Sequence, residues 1–533
     1  MSFDYIIVGA GAAGAPLAAR LSEDAGTNVL LLEAGRDYRT EDAPREMRIT
    51  NPFGIMSARA FPEYQWGELR ARRTSRQTPS QYWRGRGLGG SSIIHGLIAI
   101  RPTPEDMEAW SEQGCAGWSW SDVLPTLNRL EDDLVFSDAS YHGAGGPVPI
   151  HREPLAAWGS VDRALREAAL DTGYGWAEDH NAPDATGVSP YAMSSRDGFR
   201  VSTNDAYLEP ARRRPNLMIR GEVLVDRVLI DGTRAAAVET RAGGAVERFE
   251  GSEVILCAGS VHSPAILMRS GIGPVDNLDA LGIDVLVDAP VGANLVEHPL
   301  VSLILRLRPE ARARGVENRQ LNCCVRYSSR LAGTDPNDMI IFPLNLTSST
   351  SEGLETGALA VSVFESFSRG TLRLAGADPG LQPAIDLALL SDTRDLIRMR
   401  DGARRLFRLA GHPAIAAIAD AVELNTPHAW FQRDGSPAAA RPAPRAPEVL
   451  DDDEALDAWL YDAVSDAAHG AGTCRMGALS DPRSVVDHAC RVIGIDGLRV
   501  ADASIMPDVP RANPYLTAVM IGEHLAARLR AGN

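Results

Sequence analysis

Asp4-Tyr5-Ile6-Ile7-Val8-Gly9-Ala10-Gly11-Ala12-Ala13-Gly14 is the stretch from which the fold can be read. Residues 4–8 form a short apolar, β-branched run bounded by glycine, the pattern of a strand buried on both faces. Ala13 to Leu21 carries helix formers with apolar residues at helical spacing. Val29-Leu30-Leu31-Leu32 is a second buried strand and ends in Glu33, 19 residues after Gly14. The unit is therefore strand, glycine turn, helix, strand and acid. Gly9 permits the tight turn, Gly11 lets the backbone approach a pyrophosphate, and Gly14 lets helix and strand pack closely. The helix N-terminus would face phosphates, and Glu33 can accept hydrogen bonds from a ribose. This reading selects an adenine dinucleotide without choosing between NAD and FAD.

Farther along, Val223 to Ile230 alternates as a strand, and Val254 to Ala258 reads as a buried strand followed by a helix over Pro264 to Ser270. Asp395 to Leu409 is helical. The proline-rich segment Pro437 to Pro447 reads as an exposed loop that caps the helix carrying Leu456 and Leu460. The α/β signals cluster near the N-terminus, around 215–300 and near the C-terminus. The expected architecture is α/β, with one domain assembled from separated segments and a second inserted between them.

Composition removes several function classes. The chain has 533 residues, with 44% hydrophobic and 23% charged residues, ordinary globular values. Its net charge of −17 argues against general nucleic-acid binding. All 53 basic residues are arginine, so neither a lysine Schiff base nor a GxxxxGK[ST] phosphate loop is possible. Six cysteines form no CxxC pair. His488 and Cys490 have no further partner at metal-binding spacing, so no metal site is expected. Without a signal peptide or an apolar run near ~18 residues, the expectation is a soluble, cytoplasmic protein.

A second glycine-rich run, Gly85-Arg86-Gly87-Leu88-Gly89-Gly90-Ser91-Ser92-Ile93-Ile94-His95, is followed by Ala99, Pro102 and Glu108. Gly259-Ser260-Val261-His262-Ser263-Pro264 continues to Ser270-Gly271-Ile272-Gly273. His469-Gly470-Ala471-Gly472-Thr473-Cys474-Arg475-Met476-Gly477 precedes Val500 to Pro507, Asn513-Pro514 and Thr517. Through these four ordered blocks the chain resembles the glucose–methanol–choline (GMC) family of flavin oxidoreductases along essentially its whole length. The resemblance implies an FAD-binding domain of Rossmann type from residues 1–153, 200–304 and 462–533, with an inserted α+β substrate domain from 154–199 and 305–461. It implies cofactor contacts at Gly9, Gly11, Ala12, Ala13, Gly14, Glu33, Ala34, Leu88, Gly90, Ser91, Ile94, His95, Val223, Ala258, Asp502, Ala503, Asn513, Pro514 and Thr517. Some members attach FAD through a histidine at the position of Ile94, so here the flavin is expected to be non-covalent. His95 stands where many members carry asparagine and reads as a loop histidine shaping the flavin site.

Among eleven histidines, His142, His151, His180, His412 and His428 read as surface or structural, and His298 in Glu297-His298-Pro299 as structural. Small neighbours flank His469, leaving room for a substrate, although a tight loop would look the same. The resemblance makes His469 the base and Asn513 its partner. The implied reaction is oxidation of an alcohol, primary and aromatic or furan-like, by hydride transfer to flavin N5, with oxygen or a quinone as final acceptor. Two alternatives stay open: a choline-type dehydrogenase, with Phe364, Glu365 and Phe367 as a cation cage, and a non-redox flavin lyase. Val361 to Phe367 is expected to be a strand lining the pocket.

Overall fold

The computed structural model describes residues 3–56, 60–425 and 450–532. Its first sheet has a parallel core in the order Leu217–Arg220, Val29–Leu32, Phe3–Val8 and Ala245–Leu256, with Leu498–Val500 on the far side. Ile6 to Val8, Val29 to Leu32 and Val254 to Leu256 are all buried. A parallel strand covered on both faces carries no alternation, so these segments read as continuous apolar runs. The strand over Ala245–Leu256 is longer than its apolar end suggests. Its first half turns antiparallel to Arg234–Ala242, which pairs in turn with Leu224–Asp231.

The second sheet is antiparallel, ordered Ala419–Leu424, Pro299–Leu307, Thr356–Val363, Met339–Leu344, Cys323–Tyr327 and Gly187–Pro190. Ser465–Asp466 joins it beside Pro299 and Leu300. The sheet thus draws residues from both sides of positions 304 and 461, because one unbroken strand spans Pro299–Leu307 and Ser465–Asp466 pairs with its start. The expected strand over Val361 to Phe367 is shifted: the strand is Thr356–Val363, and Phe364 leaves it.

Three helices bear on the site. Gly14–Leu21 follows the first glycine turn and lies against Tyr515–Arg530, where Arg20 Nε meets Glu523 at 2.9 Å. Pro514 is the cap residue before that last helix rather than its first member. The helix expected to begin at Pro264 begins at Gly259 and runs to Arg269. Pro264 lacks the N–H that would bond the carbonyl of Ser260, and Thr473 Oγ1 donates to that carbonyl instead at 2.7 Å. Elsewhere, Asp453–Ala463 contains Leu456 and Leu460, capped by Asp452, which accepts from Glu454 N at 2.9 Å. The proline-rich loop and His428 lie outside the described residues. Among the described residues no helix is long and apolar enough to cross a membrane.

Candidate active site

The two glycine-rich runs, which begin 76 residues apart in sequence, meet back to back. Gly89 N donates to Ala10 O at 2.8 Å. Gly90 has φ +53, and a Cβ there would stand 2.6 Å from Gly11 Cα. At Gly9, with φ +101, a Cβ would fall 2.5 Å from the carbonyl oxygen of Cys257. Side chains are therefore excluded where the first strand, its neighbour and the second loop converge. Glu33 closes this end. Its carboxylate accepts from Ala10 N (2.9 Å), Gly35 N (2.8 Å) and Gly87 N (3.1 Å), so one acid ties both loops together. Burial pushes its pKa up against those three N–H donors.

Asp502 plays a matching part across the cavity. It accepts from Gly259 N (2.8 Å) and Ser263 Oγ (2.6 Å) at the start of the Gly259–Arg269 helix, and from Ser504 N (2.7 Å). All these elements border one cavity of about 400 Å³. Gly9, Gly11, Ala12, Ala13, Glu33 and Ala34 line it, as do Gly90, Ser91, Ile94 and His95. Val223, Ala258, Asp502, Ala503, Asn513 and Pro514 complete that wall. Gly14, Leu88 and Thr517 stand behind it: Gly14 packs against Gly9 and Cys257, and the Leu88 carbonyl accepts from the Tyr38 hydroxyl at 2.8 Å. The elongated, glycine-walled groove with an acid at one end and helix N-termini along it fits a dinucleotide cofactor.

The other end holds the histidines. His469 Nε2 lies 3.0 Å from Asn513 Nδ2, and His469 Nδ1 lies 2.9 Å from His298 Nδ1. His298 stacks on Phe364 with ring centroids 4.4 Å apart. One oxygen of Glu297 accepts from both backbone amides, His298 N at 2.9 Å and His469 N at 2.7 Å, and Tyr82 OH donates to its other oxygen at 2.8 Å. A single carboxylate thus gathers two residues 171 positions apart. Burial lowers the pKa of both imidazoles, His298 to about 3 and His469 well below its ordinary value, so both are neutral. Backbone carbonyls of Phe364 and Pro510 act on His298 in the opposite sense.

Asn513 Nδ2 can only donate, so His469 Nε2 accepts from it and the neutral ring carries its hydrogen on Nδ1. A pair of nitrogens 2.9 Å apart needs one shared hydrogen, which His469 Nδ1 then supplies. His469 Nε2 is left with a lone pair toward Asn513, as a base requires. The sequence assigns His298 a structural role; the fold makes it the acceptor for the His469 Nδ1 hydrogen.

Around the histidines the wall is apolar: Phe53, Ile98, Leu300, Leu321, Phe342, Leu344 and Phe364. Of the expected cation cage only Phe364 faces the cavity. Glu365 accepts from Asp335 N at 3.1 Å, and Phe367 lies under the guanidinium of Arg394 at 3.7 Å. Asp466 does reach the cavity but is paired with buried Arg73 at 2.6 Å.

One carboxylate–histidine group outside the cavity could in principle hold a metal: Glu131, Asp133 and His142. Guanidinium groups already serve it, Arg101 on Glu131 at 2.6 Å and Arg152 on Asp133 at 2.8 Å. His142 Nε2 meets Asp179 at 2.8 Å. The group is a buried charge network, and His142, expected at the surface or in a structural role, is structural.

Family models for GMC oxidoreductases match residues 3–300 and 366–522. The chain is 36% identical to a 5-(hydroxymethyl)furfural oxidase of Methylovorus sp. (strain MP688), covering 98% of each. It is 33% identical to an oxygen-dependent choline dehydrogenase of Sinorhizobium fredii, covering 99% of this chain and 95% of the relative. Among solved structures it resembles pyridoxine 4-oxidase from Mesorbium loti, with a TM-score of 0.86 and 29% identity over 99% of each chain. The glycine-walled groove, the neutral histidine pair and these matches lead to one conclusion: the chain belongs to the GMC oxidoreductases, FAD-dependent enzymes acting on the CH–OH group of alcohols.

Proposed function

We propose that this enzyme oxidises an uncharged primary alcohol on an aromatic or furan-like ring to the aldehyde, with oxygen as final acceptor. The observation that carries the reading is the chain Asn513–His469–His298. It holds a neutral imidazole at the cavity wall with its Nε2 lone pair available. The substrate hydroxyl gives its proton to His469 Nε2, and the Asn513 amide donates to the same oxygen. A neutral amide holds that oxygen without competing for the proton. Phe364, Phe342 and Leu300 offer a flat apolar ring its contacts and keep water from the reacting carbon. FAD, when bound, would supply the acceptor for the carbinol hydride, with oxygen as the final electron acceptor, and Ile94 offers no nucleophile for a covalent bond to it.

The wall also bears on the choline alternative. Among the described residues the only carboxylates at the cavity are Glu33, Asp466 and Asp502, each already engaged. A quaternary ammonium would find no free counter-charge near His469.

An anaerobic panel of aryl, furan, aliphatic and quaternary-ammonium alcohols tests the proposal. Aryl and furan alcohols are expected to bleach the oxidised flavin band fastest, and air to restore it. Choline bleaching faster than the aryl alcohols would overturn the substrate class, and no bleaching by any alcohol would favour the lyase. His469→Ala should stay yellow and slow reduction by about 10²–10⁴-fold.

A further inference from the structure

His95 is held in one protonation state by two donors. Its Nδ1 accepts from Leu97 N at 3.0 Å and from Arg200 Nη1 at 2.9 Å. Arginine has no acceptor to offer, so His95 Nδ1 carries no hydrogen and the neutral ring bears it on Nε2. Nε2 is buried and has no partner among the described residues, although the ring lines the cavity. Buried donors without partners are rare in folded proteins, so this one leaves room for an acceptor from outside the chain.

Arg200 behind it is equally unusual. It is 5% exposed, and its polar contacts, besides His95 Nδ1, are the carbonyls of Met47 (3.0 Å), Ser92 (3.1 Å) and His95 itself (2.7 Å). Among the described residues no carboxylate lies within 4.0 Å of it. Asp205, the acid acting on it from farther away, accepts instead from Ser202 N, Ser202 Oγ and Thr40 Oγ1. Arg200 is therefore a buried cation without a direct counter-charge. Burial lowers its pKa only to about 10, so it stays charged at neutral pH. The ring of His95 also meets Tyr515, the first residue of the last helix, edge-on at 4.5 Å. The Arg200 cation and the helix N-terminus therefore place positive potential on one side of the cavity.

We infer that Arg200 and His95 form a fixed electrostatic relay toward the bound flavin, in which the guanidinium polarises the imidazole and Nε2–H is donated to an acceptor atom on the edge of the ring system. Flavin is favoured over substrate as the recipient because His95 continues the Gly90–Ile94 loop of the cofactor groove. A donor of this kind interacts more strongly with the reduced, more negative ring, so it raises the reduction potential. His95 is a tuning residue and not a reserve base, since its only free nitrogen carries a hydrogen.

The test needs no alcohol and is independent of the substrate reading. Holoenzyme, His95→Leu and His95→Gln are equilibrated with a reference redox dye. Leu removes the donor, whereas Gln keeps an N–H at a similar reach. For His95→Leu the reduced-to-oxidised ratio of bound FAD at a fixed dye ratio should fall about tenfold, about 30 mV for a two-electron couple. His95→Gln should recover most of that. In the ¹⁵N spectrum of wild-type holoenzyme, the signal lost in His95→Gln should report an Nε2–H tautomer unchanged from pH 5 to 8. A wild-type potential in His95→Leu would overturn the relay. So would an Nδ1–H or charged His95, and the spectrum decides even if the leucine variant fails to hold FAD.

Discussion

Replacing His298 with Leu removes the acceptor for His469 Nδ1–H while keeping an apolar side chain beside Phe364. Two outcomes follow for His469, and both slow the reaction. Either its Nδ1–H stays in place as a buried donor without a partner, or the hydrogen moves to Nε2 and the lone pair facing the substrate is lost. An unsatisfied buried donor costs about 1–3 kcal/mol. At about 1.4 kcal/mol per factor of ten, flavin reduction should slow by roughly 10- to 100-fold. Stopped-flow reduction under anaerobic conditions reads this directly, with the absorbance of bound FAD confirming that the cofactor is retained. His298→Asn, which restores an acceptor near the position of Nδ1, should regain much of the rate. A second signature separates positioning from general damage. His298 Nδ1 accepts from His469 Nδ1–H, a bond that favours the protonated ring, so in His298→Leu the acid limb of the reductive pH profile should move to lower pH. Wild-type reduction with an unmoved acid limb in His298→Leu would show that His469 does not depend on its neighbour.

Acid precipitation should release FAD into the supernatant, because Ile94 has no nucleophile; flavin remaining with the pellet would point to covalent attachment at another side chain. Glu33→Ala should weaken FAD retention by ~1–3 kcal/mol, measured by dilution of the holoenzyme, since three backbone N–H groups lose their acceptor along with the ribose. Stability should fall as pH drops from 6.5 toward 5. Burial depresses His95 and His298 to about 3 and His262 and His524 to about 4, and lowers His180 and His469 well below their ordinary value. The unfolded chain therefore takes up protons that the fold does not, at up to about 1.4 kcal/mol per pH unit for each histidine. Glu297 and Glu365, both raised to about 7 chiefly by burial, act with the opposite sign and reduce the slope. Urea midpoints that stay level or rise over this interval would count against neutral buried histidines.

The legible parts of this protein are those whose physics is local. Residues 4–33 announce a dinucleotide groove because a turn with φ +101 needs Gly9, and because a strand buried on both faces has no polar residues to interrupt it. The antiparallel sheet announces itself less well. Thr356–Val363 is buried at every position, so no alternation marks its ends, and the expected strand ran on to Phe367. What escaped altogether depends on contacts between distant segments. His298 matters because Glu297 brings His469 beside it, and His95 because Arg200, 105 residues later, occupies its Nδ1. Neither pairing has a local pattern.

The welded glycine loops carry a consequence for biogenesis. Phe3–Val8 cannot bond to both neighbours until Ala245–Leu256 has been made, and Asp502 and Pro514 reach the groove later still. At ribosomal speeds of about 5–20 residues per second, the first strand waits roughly 10–50 s for its partner. The cofactor groove cannot exist on a nascent chain shorter than about 500 residues, so FAD capture waits until Asp502 and Pro514 have been made. Stalled chains ending before Asp502 should hold no flavin, and during that interval two of the most apolar strands of the protein remain open to chaperones or to wrong partners.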